Sequence, residues 1–85
     1  MIDLTARQQT VLLAVALWHE QHGYPPSFKD IAVLSKIKYV GGVVIYLRQL
    51  RSKGLLTWEA KRARTMRLTD RGKQVVGGPR GFDGG

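Results

Sequence analysis

Basic side chains are concentrated in the second half of this sequence, where they could neutralise a polyanion. Residues 36–76 contain eleven Lys and Arg against two acidic residues, a balance of +9, whereas residues 1–35 sum to −1. The densest cluster is Lys61-Arg62-Ala63-Arg64, with Lys38 and Arg48 upstream of it. Cations of this kind bind phosphates and release counterions, which gives affinity without sequence information. The basic half is therefore predicted to bind a partner, and the first half to be scaffold.

Uncharged residues next to these cations form a second candidate set. Tyr39, Val44 and Ile45 could pack on thymine methyl groups of a DNA duplex. Exposed β-branched residues on a helix are equally consistent with a protein interface. Gly41 and Gly42 would let the backbone approach a duplex closely. We favour instead a loop that delays the next helix, because a glycine inside a helix costs about 1 kcal/mol.

The sequence contains little that suits catalysis or metal binding. Its lack of Cys excludes disulfides and thiolate zinc sites. His19 and His22 have a spacing seen at metal sites, but without a suitable carboxylate nearby we predict no metal. Because no phosphate-binding Gly-Lys loop and no nucleophile beside a base is found, we expect neither an enzyme nor a cofactor.

Length and hydropathy narrow the class of protein further. Eighty-five residues with a net charge of +8 are expected to form one basic domain. No apolar run approaches the roughly 20 residues that span a bilayer, and the N-terminus does not resemble a signal peptide. We therefore expect a cytoplasmic, nucleoid-associated protein with no membrane contact.

Two helices are predicted before the basic half. Thr5-Ala6-Arg7-Gln8 has the pattern of a capping box, and helical spacing of apolar residues extends a helix over about 6–22, ended by Gly23. After two prolines, Ser27 is read as the N-cap of a short helix over about 28–35. A helix start that faces DNA can also bind a phosphate, so Ser27 is also a candidate DNA contact.

A third helix is predicted to start at Gly41 or Gly42 and to end at Lys53, before Gly54. At about 100° per residue, one face is apolar and is assigned to the core: Val43, Tyr46, Leu47 and Leu50. Gly41, Ile45 and Arg48 fall on the opposite face. A pair of helices in this arrangement is typical of a helix-turn-helix, whose second helix enters the major groove.

The basic cluster is predicted to lie at the tip of a β-hairpin between strands near 55–59 and 65–68. This basic loop, residues 60–65, is termed the wing. Thr69 is expected to cap a last helix that runs to about Val76, with Gly72 as a weak point. The domain would then span 1–76, followed by a disordered, glycine-rich tail over 77–85. The predicted fold is mainly α with a small antiparallel β-hairpin, a winged helix-turn-helix.

Several blocks resemble the DNA-binding domain of the LexA repressor family and match its spacing without insertion. They are Leu4-Thr5-Ala6-Arg7-Gln8-Gln9-Thr10-Val11-Leu12, Gly23-Tyr24-Pro25-Pro26-Ser27, Asp30-Ile31-Ala32 and Leu47-Arg48-Gln49-Leu50-Arg51-Ser52-Lys53-Gly54-Leu55-Leu56. The resemblance covers about 3–68 and implies a regulator of transcription that binds double-stranded DNA, a repressor or Cro-like switch. It implies that the third helix reads the major groove and that the wing contacts the backbone or minor groove.

The sequence departs from the family pattern in three ways. The family's self-cleaving peptidase domain, which also dimerises the repressor, does not follow, so we expect no autoproteolysis. Positions where the family reads bases with small and polar side chains hold Tyr39, Gly41, Gly42, Val44 and Ile45, so a different operator is expected. Lys36 stands where the family has a turn glycine, and we expect a reshaped turn.

The sequence leaves other partners open. A homodimer on a two-fold DNA site is the usual route to specificity. The alternative function is a protein-interaction module that binds a host regulator or RNA polymerase; non-specific compaction of nucleic acid is a third possibility. Small size and the absence of a sensor domain suggest a phage or mobile-element origin.

Overall fold

Four helices and a two-stranded antiparallel sheet make up residues 4–77, the part of the chain that the computed structural model describes. The elements in chain order are α1 (Ala6–His22), α2 (Phe28–Leu34), α3 (Val40–Ser52), β1 (Leu56–Thr57), β2 (Arg67–Leu68) and α4 (Asp70–Val75). This confirms the predicted winged helix-turn-helix. Of the predicted tail, residues 78–85 lie outside the described range.

Side-chain caps fix the starts of the first two helices. The Thr5 hydroxyl accepts a hydrogen bond from the Gln8 N–H at 3.1 Å, and the Gln8 side chain accepts from the Thr5 N–H at 3.0 Å. Ser27 and Asp30 form the same reciprocal pair at the start of α2. Gly23 ends α1 in the left-handed conformation, with φ of 75°. The predicted caps of α1 and α2 are therefore confirmed.

The core lies where α1, α2 and α3 meet and extends under the hairpin. Val43, Leu47 and Leu50 of α3 are fully buried, as the helical pattern predicted, while Tyr46 is half-buried against them. The other members of this core come from α1, α2, the start of the hairpin and the residue after the wing: Val11, Leu12, Ala14, Val15, Ile31, Ala32, Leu55, Leu56 and Met66. Burial of this one apolar face holds α3 against the scaffold.

The start of α3 differs from the prediction. The helix begins at Val40, so Gly41 and Gly42 lie inside its first turn, and the predicted loop is wrong. The Tyr39 carbonyl accepts hydrogen bonds from the Gly42 and Val43 N–H groups. A Cβ built on Gly42 would lie 3.2 Å from the Ile37 side chain. Close packing there and burial of Val43 thus outweigh the helix cost of the glycines.

The turn between α2 and α3 keeps a left-handed residue without glycine. Lys36 has φ of 58°, so the expected reshaping of this turn is wrong. The Ile37 N–H donates to the Ala32 carbonyl at 2.9 Å and the Lys36 N–H to the Val33 carbonyl at 3.2 Å. These two bonds form a Schellman motif, which satisfies the last carbonyls of α2 and offsets the roughly 1–2 kcal/mol cost of the conformation.

The strands of the hairpin are shorter than predicted, and α4 follows directly after the second strand. Leu56 pairs with Leu68 and Thr57 with Arg67. The Thr69 hydroxyl accepts from the Gly72 N–H at 3.0 Å, which confirms Thr69 as the cap of α4. Gly72 is buried, and a Cβ there would overlap the Leu55 carbonyl oxygen. Gly72, which was expected to weaken α4, instead allows this helix to pack closely on the Leu55 backbone, where no larger residue fits.

None of the helices in the described residues is long and apolar enough to cross a membrane.

Candidate nucleic-acid interface

The outer face of α3 carries the exposed side chains that the sequence placed there. Ile45 is 58% exposed, and Gly41 and Arg48 are exposed beside it. Tyr39, immediately before the helix, is 68% exposed, with the Lys38 ammonium nitrogen 5.5 Å from its ring centroid. This face therefore has a cation at each end and exposed uncharged residues between them.

Val44 and Gly42 do not share this open position. Val44 is half-buried and packs against the core, and Gly42 is half-buried against Ile37. The two residues lie on opposite flanks of α3, one on each side of the buried face. Of the β-branched pair predicted to stand free, only Ile45 does so.

A partly buried polar contact joins α3 to α1. The Gln8 side-chain amide donates to the Gln49 side-chain oxygen at 2.8 Å, and Gln8 is buried. Since Gln8 also belongs to the capping box of α1, this bond fixes α3 relative to the start of α1. The contact was not predicted, because no local pattern links residues 41 positions apart.

The wing presents Lys61 and Arg62 to solvent. Arg62 pairs with Glu59 at 3.2 Å, but both side chains are largely exposed, so the pair is weak and exchangeable. Lys61 is exposed and has φ of 63°. The Thr65 hydroxyl accepts from the Glu59 N–H at 2.8 Å and so closes the loop. The wing is a tight turn that leaves two cations available.

The base of the wing is held by aromatic contacts. Trp58 packs edge-to-face on Phe28 of α2, with ring centroids 5.4 Å apart. The guanidinium carbon of Arg51 lies 4.5 Å from the centroid of the same Trp58 ring. Arg51 was not a predicted site residue, because this cation–π contact joins two elements and leaves no local signal.

Arg64 points away from the wing tip and towards α2. Its Nη1 donates to the Pro25 carbonyl at 3.2 Å and to Asp30 Oδ2 at 3.1 Å, and its guanidinium carbon lies 5.1 Å from the Tyr24 ring centroid. The structure therefore separates Arg64 from Lys61 and Arg62, with which it was grouped as a candidate phosphate contact.

Ser27 is occupied by its capping role. Its hydroxyl accepts from the Asp30 N–H, and its own N–H donates to Asp30 Oδ2. Burial alone raises the pKa of Asp30, but hydrogen bonds from Ser27 and the charge and hydrogen bond of Arg64 outweigh it, and the pKa is lowered. An ionised carboxylate therefore takes the place that a phosphate would need at this helix start.

The two histidines make structural contacts. His19 Nε2 lies 3.1 Å from the Met66 carbonyl oxygen, and His22 stacks on Trp18 with ring centroids 3.7 Å apart. Within residues 4–77, no group of three or more His, Cys, Asp and Glu side chains could hold a metal ion.

The sequence is similar to those of proteins in a known family. The family profile described as "LexA DNA binding domain" matches residues 1–65. A LexA repressor from Pseudothermotoga lettingae is 38% identical over 73 residues, which cover 86% of this chain and 36% of that protein. One from Anaeromyxobacter sp. is 36% identical over 78 residues, covering 92% and 34%, and one from Thermotoga neapolitana is 37% identical over 76 residues, covering 89% and 38%.

The chain spans little more than a third of the length of these curated relatives. The profile match, by contrast, includes α1, α2, α3, β1 and all of the wing. The elements that carry the candidate interface are the ones the family shares, and the chain belongs to the LexA DNA-binding domain family.

Proposed function

We propose that this chain is the DNA-binding module of a transcriptional repressor that recognises double-stranded DNA. In this proposal α3 enters the major groove, and the wing lies on the backbone or in the adjacent minor groove. The observation that carries the proposal is the outer face of α3, where Ile45 and Arg48 are exposed beside Lys38 and Tyr39. Family membership supports it independently.

The exposed residues divide into two roles. Lys38, Arg48, Lys61 and Arg62 would contact phosphates, which gives affinity and a steep dependence on salt. Tyr39 and Ile45 would contact base edges, chiefly thymine methyl groups. Gly41 is exposed and has no atom within 4 Å of a Cβ built on it, so the backbone could approach the duplex there.

This division predicts an operator of unusual character. The outer face of α3 begins with glycine and isoleucine, where bidentate readers such as Arg, Asn or Gln would hydrogen-bond to bases. Recognition would then rest on methyl contacts and on DNA shape more than on hydrogen bonds. We expect a site rich in A·T pairs.

Two copies on a two-fold site would supply further specificity. Such a regulator would lie with the nucleoid in the cytoplasm. The alternative of a module that binds a host regulator or RNA polymerase is not favoured, because both the family profile and the relatives are those of LexA repressors.

Selection from random duplex DNA tests the proposal. The selected duplex and a scrambled duplex of equal composition are then titrated from about 50 to 200 mM salt. We expect the selected duplex to bind on the order of 10³-fold tighter at physiological salt. Equal binding of both duplexes, with the same steep loss in salt, would show that the cations bind any polyanion and would contradict sequence-specific regulation.

A further inference from the structure

One cation of the basic cluster is engaged within the protein. Arg64 Nη1 bonds to Asp30 Oδ2 and to the Pro25 carbonyl, and the guanidinium covers the Tyr24 ring. All three partners lie in the segment that leads into and begins α2. The Asp30 side chain is only 21% exposed and that of Arg64 45% exposed, so water screens this pair less than it screens Arg62 and Glu59.

The carboxylate oxygen Asp30 Oδ2 accepts two hydrogen bonds with different structural roles. Asp30 Oδ2 accepts from Arg64 and also from the Ser27 N–H at 3.0 Å, the bond that caps α2. The contact thus ties the wing to the first helix of the helix-turn-helix. We term it the Arg64–Asp30 bridge.

The wing needs such a tie, because its own hairpin ladder is short. Each strand has two residues, and Lys61 and Arg64 both adopt a left-handed backbone conformation, with φ of 63° and 57°. A non-glycine residue keeps that conformation only where surrounding contacts hold it. Trp58 holds the base of the wing on Phe28, and the Arg64–Asp30 bridge holds its far side.

We propose that Arg64 is a positioning residue of the DNA interface, whose bridge to Asp30 sets the pose of the wing so that Lys61 and Arg62 meet the phosphates. The inference rests on the proposed function and reassigns Arg64 within it. A guanidinium suits this role because its planar fork serves two acceptors and an aromatic face together.

The test separates a positioning cation from a phosphate contact through the salt dependence of DNA binding. Arg64→Gln, Asp30→Asn and the double variant are titrated with the duplex selected for the wild type. Lys61→Gln is the reference for a lost phosphate contact, and its slope of log K against log salt should fall by about 0.9.

For Arg64→Gln we expect binding about three- to tenfold weaker at fixed salt with an unchanged slope, because Lys61 and Arg62 still reach the phosphates in the complex but the loosened wing must first be ordered. Asp30→Asn, which retains the Arg64 charge, should weaken binding to a similar degree, and the double variant should be no weaker than either single variant. A slope for Arg64→Gln that falls as in Lys61→Gln, or tighter binding by Asp30→Asn because the freed Arg64 reaches a phosphate, would overturn the proposal.

A second measurement needs no DNA. Trypsin cleavage after Lys61 and Arg62, followed by mass spectrometry, reports how often the wing opens, and Asp30→Asn leaves these sites unchanged. We expect cleavage to be severalfold faster in Asp30→Asn and Arg64→Gln than in the wild type. Ser27→Ala weakens the same cap but keeps the bridge, so it should cleave at the wild-type rate.

Equal cleavage rates in the wild type and the three variants would also contradict the proposal that the Arg64–Asp30 bridge holds the wing. This readout stands apart from the function itself: a wild type that binds no duplex would contradict the proposed function, while the cleavage rates would still decide the role of Arg64.

Discussion

Among single residues, the three glycines within the helices differ in how closely their neighbours pack against them. Gly41 and Gly42 lie in the first turn of α3, and Gly72 lies in α4. Gly72 is required by the backbone of Leu55, Gly42 packs closely on Ile37, and Gly41 faces open space. Helix propensity alone predicts that all three glycines weaken their helices. Only the packing around each glycine distinguishes them.

Replacement of two of these glycines by alanine should therefore have opposite effects. Gly72→Ala places a Cβ on a backbone carbonyl that cannot rotate away, and we expect a loss of about 1–3 kcal/mol in the free energy of unfolding. Gly41→Ala meets nothing and should stabilise by up to about 1 kcal/mol. Urea denaturation of both variants measures the pair, and a similar loss in both would contradict these assignments.

At the scale of elements, α2 and the wing depend on one carboxylate. The pKa of Asp30 is lowered, since the hydrogen bonds from Ser27 and the neighbouring Arg64 outweigh the effect of burial. A carboxyl with a lower pKa in the folded state stabilises the protein above its unfolded pKa of about 3.9. That stabilisation is lost as the pH falls through the folded value.

Asp30→Asn should therefore lower the free energy of unfolding at pH 7, and its difference from the wild type should shrink as the pH falls below about 4. Urea denaturation of both proteins at neutral and acidic pH measures this. A difference that stays constant with pH would show that the Asp30 carboxylate does not contribute through its charge.

Element boundaries followed from the sequence where local chemistry determines them. Thr5 with Gln8, Ser27 with Asp30, and Thr69 are short-range caps, and the structure places helix starts at each. The start of α3 was wrong by one or two residues, because tertiary packing rather than a cap determines it.

The candidate site was less accessible from the sequence than the fold. Residue types identified Arg64 as a cation but not its bridge to Asp30, which joins positions 34 apart. Val44 was predicted as a candidate contact, yet whether that side of α3 is covered depends on the neighbouring elements.

At the scale of the whole molecule, charge and scaffold are divided along the chain. The +9 balance of residues 36–76 covers α3 and the wing, and residues 1–35, with a balance of −1, supply α1 and α2. This division lets a small domain present cations on the proposed interface while its scaffold adds no repulsion. Two of the cations are engaged within the protein: Arg51 contacts the Trp58 ring and Arg64 bonds to Asp30.

The assignment of α3 as the DNA-reading surface is tested by titrating single variants of exposed residues with the selected duplex across salt. Arg48→Ala should lower the slope of log K against log salt by about 0.9, as expected for one phosphate contact. Ile45→Ala should lose specific affinity by roughly 1–3 kcal/mol with its slope unchanged. Lys73→Ala, a cation on α4 outside the proposed interface, should leave both quantities as in the wild type. If Lys73→Ala lowers the slope as much as Arg48→Ala and Ile45→Ala binds like the wild type, α3 is not the DNA-reading surface.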